Sequence, residues 1–215
     1  MNQMRTMLSI LLMLLTTAGV VLADETITVA ADSTLAGQAG YIVHVTPDNP
    51  QDSASSLFFF EEAGKLRMYA ARDVGSQDWD IFGSAQYLCP TAPMSLGDTW
   101  SHLSSDEGEA TLARVVAEED VTTAAGLFTT FRVEVELVSE PNVSIETMWF
   151  AWGVGFVRNQ GYEGGAVDWR DNLTSYSIVG GSGYMPLGVG NTWTHAPEAV
   201  STETAGWGEL KSLFR

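Results

Sequence analysis

A ten-residue phrase occurs twice in this chain, 93 positions apart. Pro93-Met94-Ser95-Leu96-Gly97-Asp98-Thr99-Trp100-Ser101-His102 is matched by Pro186-Leu187-Gly188-Val189-Gly190-Asn191-Thr192-Trp193-Thr194-His195. Pro, Gly, Thr, Trp and His recur in register, with an apolar residue, Asp or Asn, and Ser or Thr between them. A chain that spells one local device twice must place that device twice. The device is a strand entrance. Proline fixes φ and ends what came before. Gly followed by Asp or Asn is turn chemistry. Thr-Trp-Ser/Thr-His then alternates as a strand does, with Trp as the large anchor.

The rest of the chain reads as β. Thr26 to Val29, Tyr41 to Val45, Leu57 to Phe60 and Leu66 to Tyr69 are short apolar or alternating runs. Glu62-Ala63-Gly64-Lys65 is a hairpin connection between the last two. Phe131-Arg132-Val133-Glu134-Val135-Glu136-Leu137 is the clearest pattern, apolar at every second place with charges between, so one face is buried and one is wet. Ile145 to Phe150, Val154 to Val157 and Leu173 to Val179 continue the series, with Gly161, Gly164 and Gly165 marking a loop. Ala110 to Asp120 carries helix-favouring Ala, Leu, Arg and Glu. Its neighbours are strands, so it reads as strand, and a helix there would make the fold α+β. Strands do not alternate with long helical patterns. The expected class is all-β: an antiparallel sandwich or a curled, partly open barrel, closed by a short C-terminal helix. That helix is expected from the 3.6-residue stripe of Trp207, Leu210, Leu213 and Phe214.

The N-terminus predicts export. One positive charge, Arg5, precedes an apolar run from Leu8 to Leu22, and small residues at Val21 and Ala23 stand before Asp24. This is the pattern of a secretory signal peptide. The expected organisation is residues 1–23 as signal peptide, 24–195 as one β-domain, and 196–215 as linker and amphipathic helix. No integral membrane segment is expected once the signal is removed, and the destination is the periplasm or the extracellular space. The formal net charge is −17, and removing Arg5 makes it more negative. Such a surface repels nucleic acid and anionic membranes. The single cysteine, Cys89, cannot form an internal disulfide and reads as a buried, unreactive thiol.

Three segments together carry a resemblance. They are the Pro-x-x-apolar-Gly-Asp/Asn-Thr-Trp phrases, Val121-Thr122-Thr123-Ala124-Ala125-Gly126-Leu127-Phe128, and Trp149-Phe150-Ala151-Trp152-Gly153-Val154-Gly155-Phe156-Val157. In this order the chain resembles a loose group of uncharacterised bacterial exported β-proteins with P-L-x-x-G-x-x-W, V-x-x-x-A-G-x-F and W-[F/Y]-A-x-G-V-G segments. The resemblance covers about residues 93 to 195 and departs from the group at Trp152, where Pro is common. It implies an exported β-domain and carries over no catalytic residue.

Catalytic motifs are thin. Gly180-Gly181-Ser182-Gly183-Tyr184 fails the last place of a nucleophile elbow. There is no His-Glu-x-x-His, and with one cysteine no Cys-x-x-Cys. Lys65 and Lys211 are the only lysines, and neither forms a Ser-x-x-Lys pair. The histidines are His44, His102 and His195, the last two at equivalent places in the repeated phrase. The chain therefore reads as a non-enzymatic binding module with no cofactor and no metal, whose partner is an envelope protein or an apolar small molecule. The oligomeric state is not legible. One alternative is a carrier of a lipid or other apolar ligand within a curled sheet, with Trp100, Trp149, Trp152 and Trp193 as candidate ligand-binding residues. The other is a hydrolase working through Asp78, Asp80, Asp168 and Asp171.

Overall fold

Twelve strands follow one another along the chain in a computed structural model that describes residues 24–48, 53–104, 110–163 and 165–198. They are β1 (Glu25–Leu35), β2 (Gln38–Pro47), β3 (Ser55–Glu62), β4 (Lys65–Asp73), β5 (Asp80–Pro90), β6 (Thr99–Ser104), β7 (Ala110–Thr123), β8 (Gly126–Leu137), β9 (Glu140–Ala151), β10 (Gly155–Glu163), β11 (Ala166–Ser177) and β12 (Thr192–Pro197). All join one antiparallel sheet in the order β5-β4-β3-β2-β1-β12-β11-β10-β9-β8-β7-β6. Every neighbour is a chain neighbour except β1 and β12, where the first and last of the described strands meet. The sheet curls until β5 and β6 lie side by side, but no ladder joins them. The result is a nearly closed up-and-down barrel with one unsealed seam. Of the two expected architectures, the curled barrel is the one formed, and there is no second sheet among the described residues. No helix occurs among them either; the expected C-terminal helix lies outside them.

The barrel is built from two similar halves, and the repeated phrase marks them. In the first copy Gly97 N–H donates to Val115 O at 2.9 Å, and Val115 N–H returns a bond to Asp98 O at 2.9 Å. In the second copy Gly190 N–H donates to Val29 O at 2.9 Å, and Val29 N–H donates to Asn191 O at 2.9 Å. Both glycines have positive φ, 88° and 93°. Each phrase thus enters beside the middle of a long strand, β7 or β1. That long strand bulges directly afterwards, between Val115 and Ala117 or between Val29 and Ala31. The register beyond also corresponds. Val29 faces Val43 and Val115 faces Val133; Tyr41 faces Phe59 and Phe131 faces Phe150.

Alternation sets the core. Val43, Val45, Leu57, Phe59, Val133, Val135, Met148 and Phe150 take the inward places of four strands, all at most 8% exposed. Burying each contributes on the order of 1.5–3 kcal/mol. Outward places carry charge, as in the Arg132 pairs with Glu119 and Glu134. The segment read as ambiguous, 110–120, is strand, held by ladders to β6 and β8. Gly161, expected in a loop, lies within β10. A Cβ there would fall 2.1 Å from Trp169 Nε1, so the indole of the paired strand occupies its side-chain space. The ladder of β12 runs through Pro197, and Glu198 is held by Arg170 and Asn172.

Candidate functional site

One region of the barrel interior is plugged. Met94, Trp100, Tyr184, Leu187 and Trp193 are all at most 7% exposed and belong to the main core. The Tyr184 hydroxyl accepts from Met94 N–H at 3.0 Å. Trp193 Nε1 donates to Val154 O, and its indole lies against Gly155, whose φ is +117° and whose Cβ, if present, would stand 3.1 Å from that nitrogen. Both tryptophans of the repeated phrase are therefore packing anchors. Trp100 Nε1 reaches across the seam to Tyr87 O at 3.3 Å, and His102 Nδ1 reaches the same oxygen at 2.9 Å. Side chains bridge the seam where the ladder is missing.

Beyond the plug lies a cavity of about 130 Å³. One wall is apolar: Ile27, Val43, Val45, Leu57, Phe59 and Met68 come from β1 to β4, with Met148 and Phe156 completing it. The other wall is acidic and imidazole-bearing. Glu25 opens β1, His195 is its partner in β12, Asp171 lies in β11 with Asn159 opposite it in β10, Glu146 is in β9, and His102 is in β6. Asn159 Nδ2 donates to Glu146 Oε1 at 2.9 Å. Glu146 Oε2 stands 4.0 Å from His102 Nε2. His195 Nε2 meets Phe156 O at 3.2 Å, while its Nδ1 has no partner. His102 and His195, equivalent in the two phrases, thus line one cavity from opposite halves.

Burial governs the protonation of this wall. It pushes the Glu146 carboxyl up to about 7, against a smaller opposing effect of the Asn159 bond. It pushes Glu25 up to about 7 as well, and the charge of Asp171 adds to that shift. Asp171 rises to about 6 by burial. Burial lowers His102 to about 4 and lowers His195 too, so both imidazoles are neutral near pH 7. Glu146 and His102 are therefore not an ion pair there. Among the described residues, no group of three or more His, Cys, Asp or Glu is arranged to hold a metal ion. Cys89 is 1% exposed, and burial pushes its thiol up to about 12, so it stays protonated.

The four tryptophans singled out from sequence do not gather at this cavity. Trp100 and Trp193 belong to the plug. Trp149 points to the outer face, where its Nε1 donates to Glu119 Oε1 at 2.6 Å and Arg158 stacks 5.7 Å from its ring. Trp152, 48% exposed in the β9–β10 turn, meets Tyr184 edge-on at 4.9 Å. Of the four acids considered for hydrolysis, only Asp171 lines the cavity; Asp78, Asp80 and Asp168 are exposed. The residues that sequence reasoning missed are Glu25, Glu146 and Asn159. The two acids carried a usable signal. Glu146 stands two places before Met148 and Glu25 two before Ile27, so each acid occupies the inward register of a strand.

Comparison of the chain with family models, with curated proteins and with solved structures finds no match in any of the three.

Proposed function

We propose that this protein is an exported, non-catalytic carrier that holds a small, largely apolar molecule inside its barrel. The observation that supports this is the cavity itself. A space of about 130 Å³ faced by Val43, Leu57, Phe59 and Met68 approaches that of an engineered apolar cavity, roughly 150 Å³, that binds benzene. Cores are otherwise packed to crystal density, so a void of this size forfeits contacts that a ligand restores. Export rests on the N-terminal pattern, and protein isolated from its own host is expected to begin at Asp24 on N-terminal sequencing. A chain still beginning at Met1 would overturn the export reading.

Native mass spectrometry of that same material tests the carrier. The expected result is a retained small molecule that is lost from Leu57→Trp, a substitution that fills the cavity from its apolar wall. A bare wild-type chain that also takes up nothing from a panel of small aromatic and aliphatic compounds would remove this reading.

A further inference from the structure

Apart from the Gln86 amide, the polar side chains of the cavity wall present more acceptors than free donors. A carbonyl only accepts, so the His195 nitrogen that meets Phe156 O, Nε2, must carry the ring proton. Its Nδ1 is then a bare lone pair. It is buried without a partner on a residue 6% exposed. The same reasoning applies to His102. There Nδ1 donates to Tyr87 O, and the ring also bonds the Leu88 backbone, so His102 is tied to β5 while its Nε2 stands 4.0 Å from Glu146 Oε2. Asn159 commits an Nδ2 proton to Glu146 and leaves Oδ1 buried and unpaired. Glu25 and Asp171 add further carboxyl oxygens. No Lys or Arg lies on the cavity lining. Leaving a buried acceptor unsatisfied costs about 1–3 kcal/mol, so the vacancy calls for a ligand rich in N–H.

Resting on the carrier reading, we propose that the ligand is a small organic ammonium compound. Its three N–H groups are shared among the acceptors of His195, Asn159 and the carboxyls of Glu146 and Asp171, and its apolar body lies against Val43, Leu57 and Phe59. An ammonium group satisfies these acceptors and neutralises the carboxylates together, and charge-assisted bonds of this kind are roughly twice as strong as neutral ones. A neutral apolar ligand would leave the lone pairs unmet. An anionic ligand would find each carboxyl either repelling it or protonated at the expense of the solvent. Binding a cation also favours the ionised carboxyls. Because Glu25 and Glu146 sit at about 7, uptake of an ammonium ion near pH 7 releases protons.

Isothermal titration of the full chain with three probes of matched shape tests this: 2-phenylethylamine, propylbenzene and 3-phenylpropionate. The amine is expected to bind at least about tenfold more tightly than propylbenzene, a difference of about 1.4 kcal/mol. Its apparent enthalpy should vary with the buffer's ionisation enthalpy in the sense of proton release. The double variant Glu146→Gln, Asp171→Asn should lose the amine preference, with an unchanged far-UV circular dichroism spectrum as the check that it folds. If propylbenzene or phenylpropionate equals or exceeds the amine on the wild-type protein, the ammonium reading fails and the carrier stands. If none of the three binds, both fail. A folded double variant that keeps the wild-type amine preference would also overturn the ammonium reading.

Discussion

At the scale of single residues, the two copies of the phrase show how one device acquires different chemistry. Asp98 is exposed, and its Oδ2 accepts one bond, from Ser95 N–H at 2.8 Å. Asn191 is fully buried. Its Oδ1 accepts from Val179 and Gly180 N–H, and its Nδ2 donates to the carbonyls of Gly180 and Pro186. An Asp at 191 would set a carboxylate against two carbonyl oxygens, whereas the exposed copy tolerates one. Asn191→Ala should therefore cost at least about 2–4 kcal/mol in urea unfolding, since several buried groups lose partners. Asp98→Ala should cost less than about 1 kcal/mol. Equal losses would show that the loop does not depend on the Asn191 bonds. The sequence made the pairing of the phrases visible, but burial at 191 depends on the loop at 178–187 folding over it, which no local pattern encodes.

At the scale of elements, legibility followed local contrast. β8 was readable because its charges and apolar residues alternate without interruption. β7 was ambiguous because Ala, Arg and Glu suit a helix, and only ladders on both sides decide for strand. β5 was missed: Gly83, Ser84 and Ala85 separate Ile81 and Phe82 from Tyr87 and Leu88, so no apolar periodicity survives. The pocket is not legible locally because its polar groups are spread over seven strands, Gln86 of β5 included, while Trp100 and Trp193 pack the plug and Trp149 lies on the outer face. β5 is also one lip of the seam. Amides of β5 and β6 that face it have no ladder partner, and amide hydrogen exchange should show them opening well before those of β8 and β9. Uniform protection around all twelve strands would mean that the seam is sealed in solution. Trp100→Phe, which removes the indole bond to Tyr87 O across the seam, should speed exchange there selectively.

At the scale of the whole molecule, the buried wall makes stability depend on pH in a direction opposite to that of most acidic groups. The folded values of Glu25 and Glu146, about 7, lie above the ordinary 4.5, and Asp171, about 6, lies above 3.8. Between each pair of values the folded chain holds a proton that the unfolded chain has lost. The stabilisation is complete below the ordinary value and disappears as pH rises through the folded one. His102 runs the other way. Its folded value, about 4, is below 6.5, so its share is present above 6.5 and is lost as pH falls toward 4, and His195 shifts in the same sense. From about pH 8.5 down to about 6.5 the carboxyls dominate, and Tm should rise by at least about 2 °C. The formal charge of −17 favours a rise on acidification as well. The variant Glu25→Gln, Glu146→Gln separates the two causes: differential scanning calorimetry should show most of the rise gone. An unchanged slope would assign the effect to overall charge.

The pairing of β1 with β12 has a consequence for how this protein comes into being. On a ribosome β1 emerges long before β12, its partner and the last strand among the described residues. Until β12 has been made, the facing edges of β1 and β11 have nothing to bind and one imidazole is missing from the pocket. β12 completes both at once, so a chain lacking it carries two open sheet edges and an unfinished pocket.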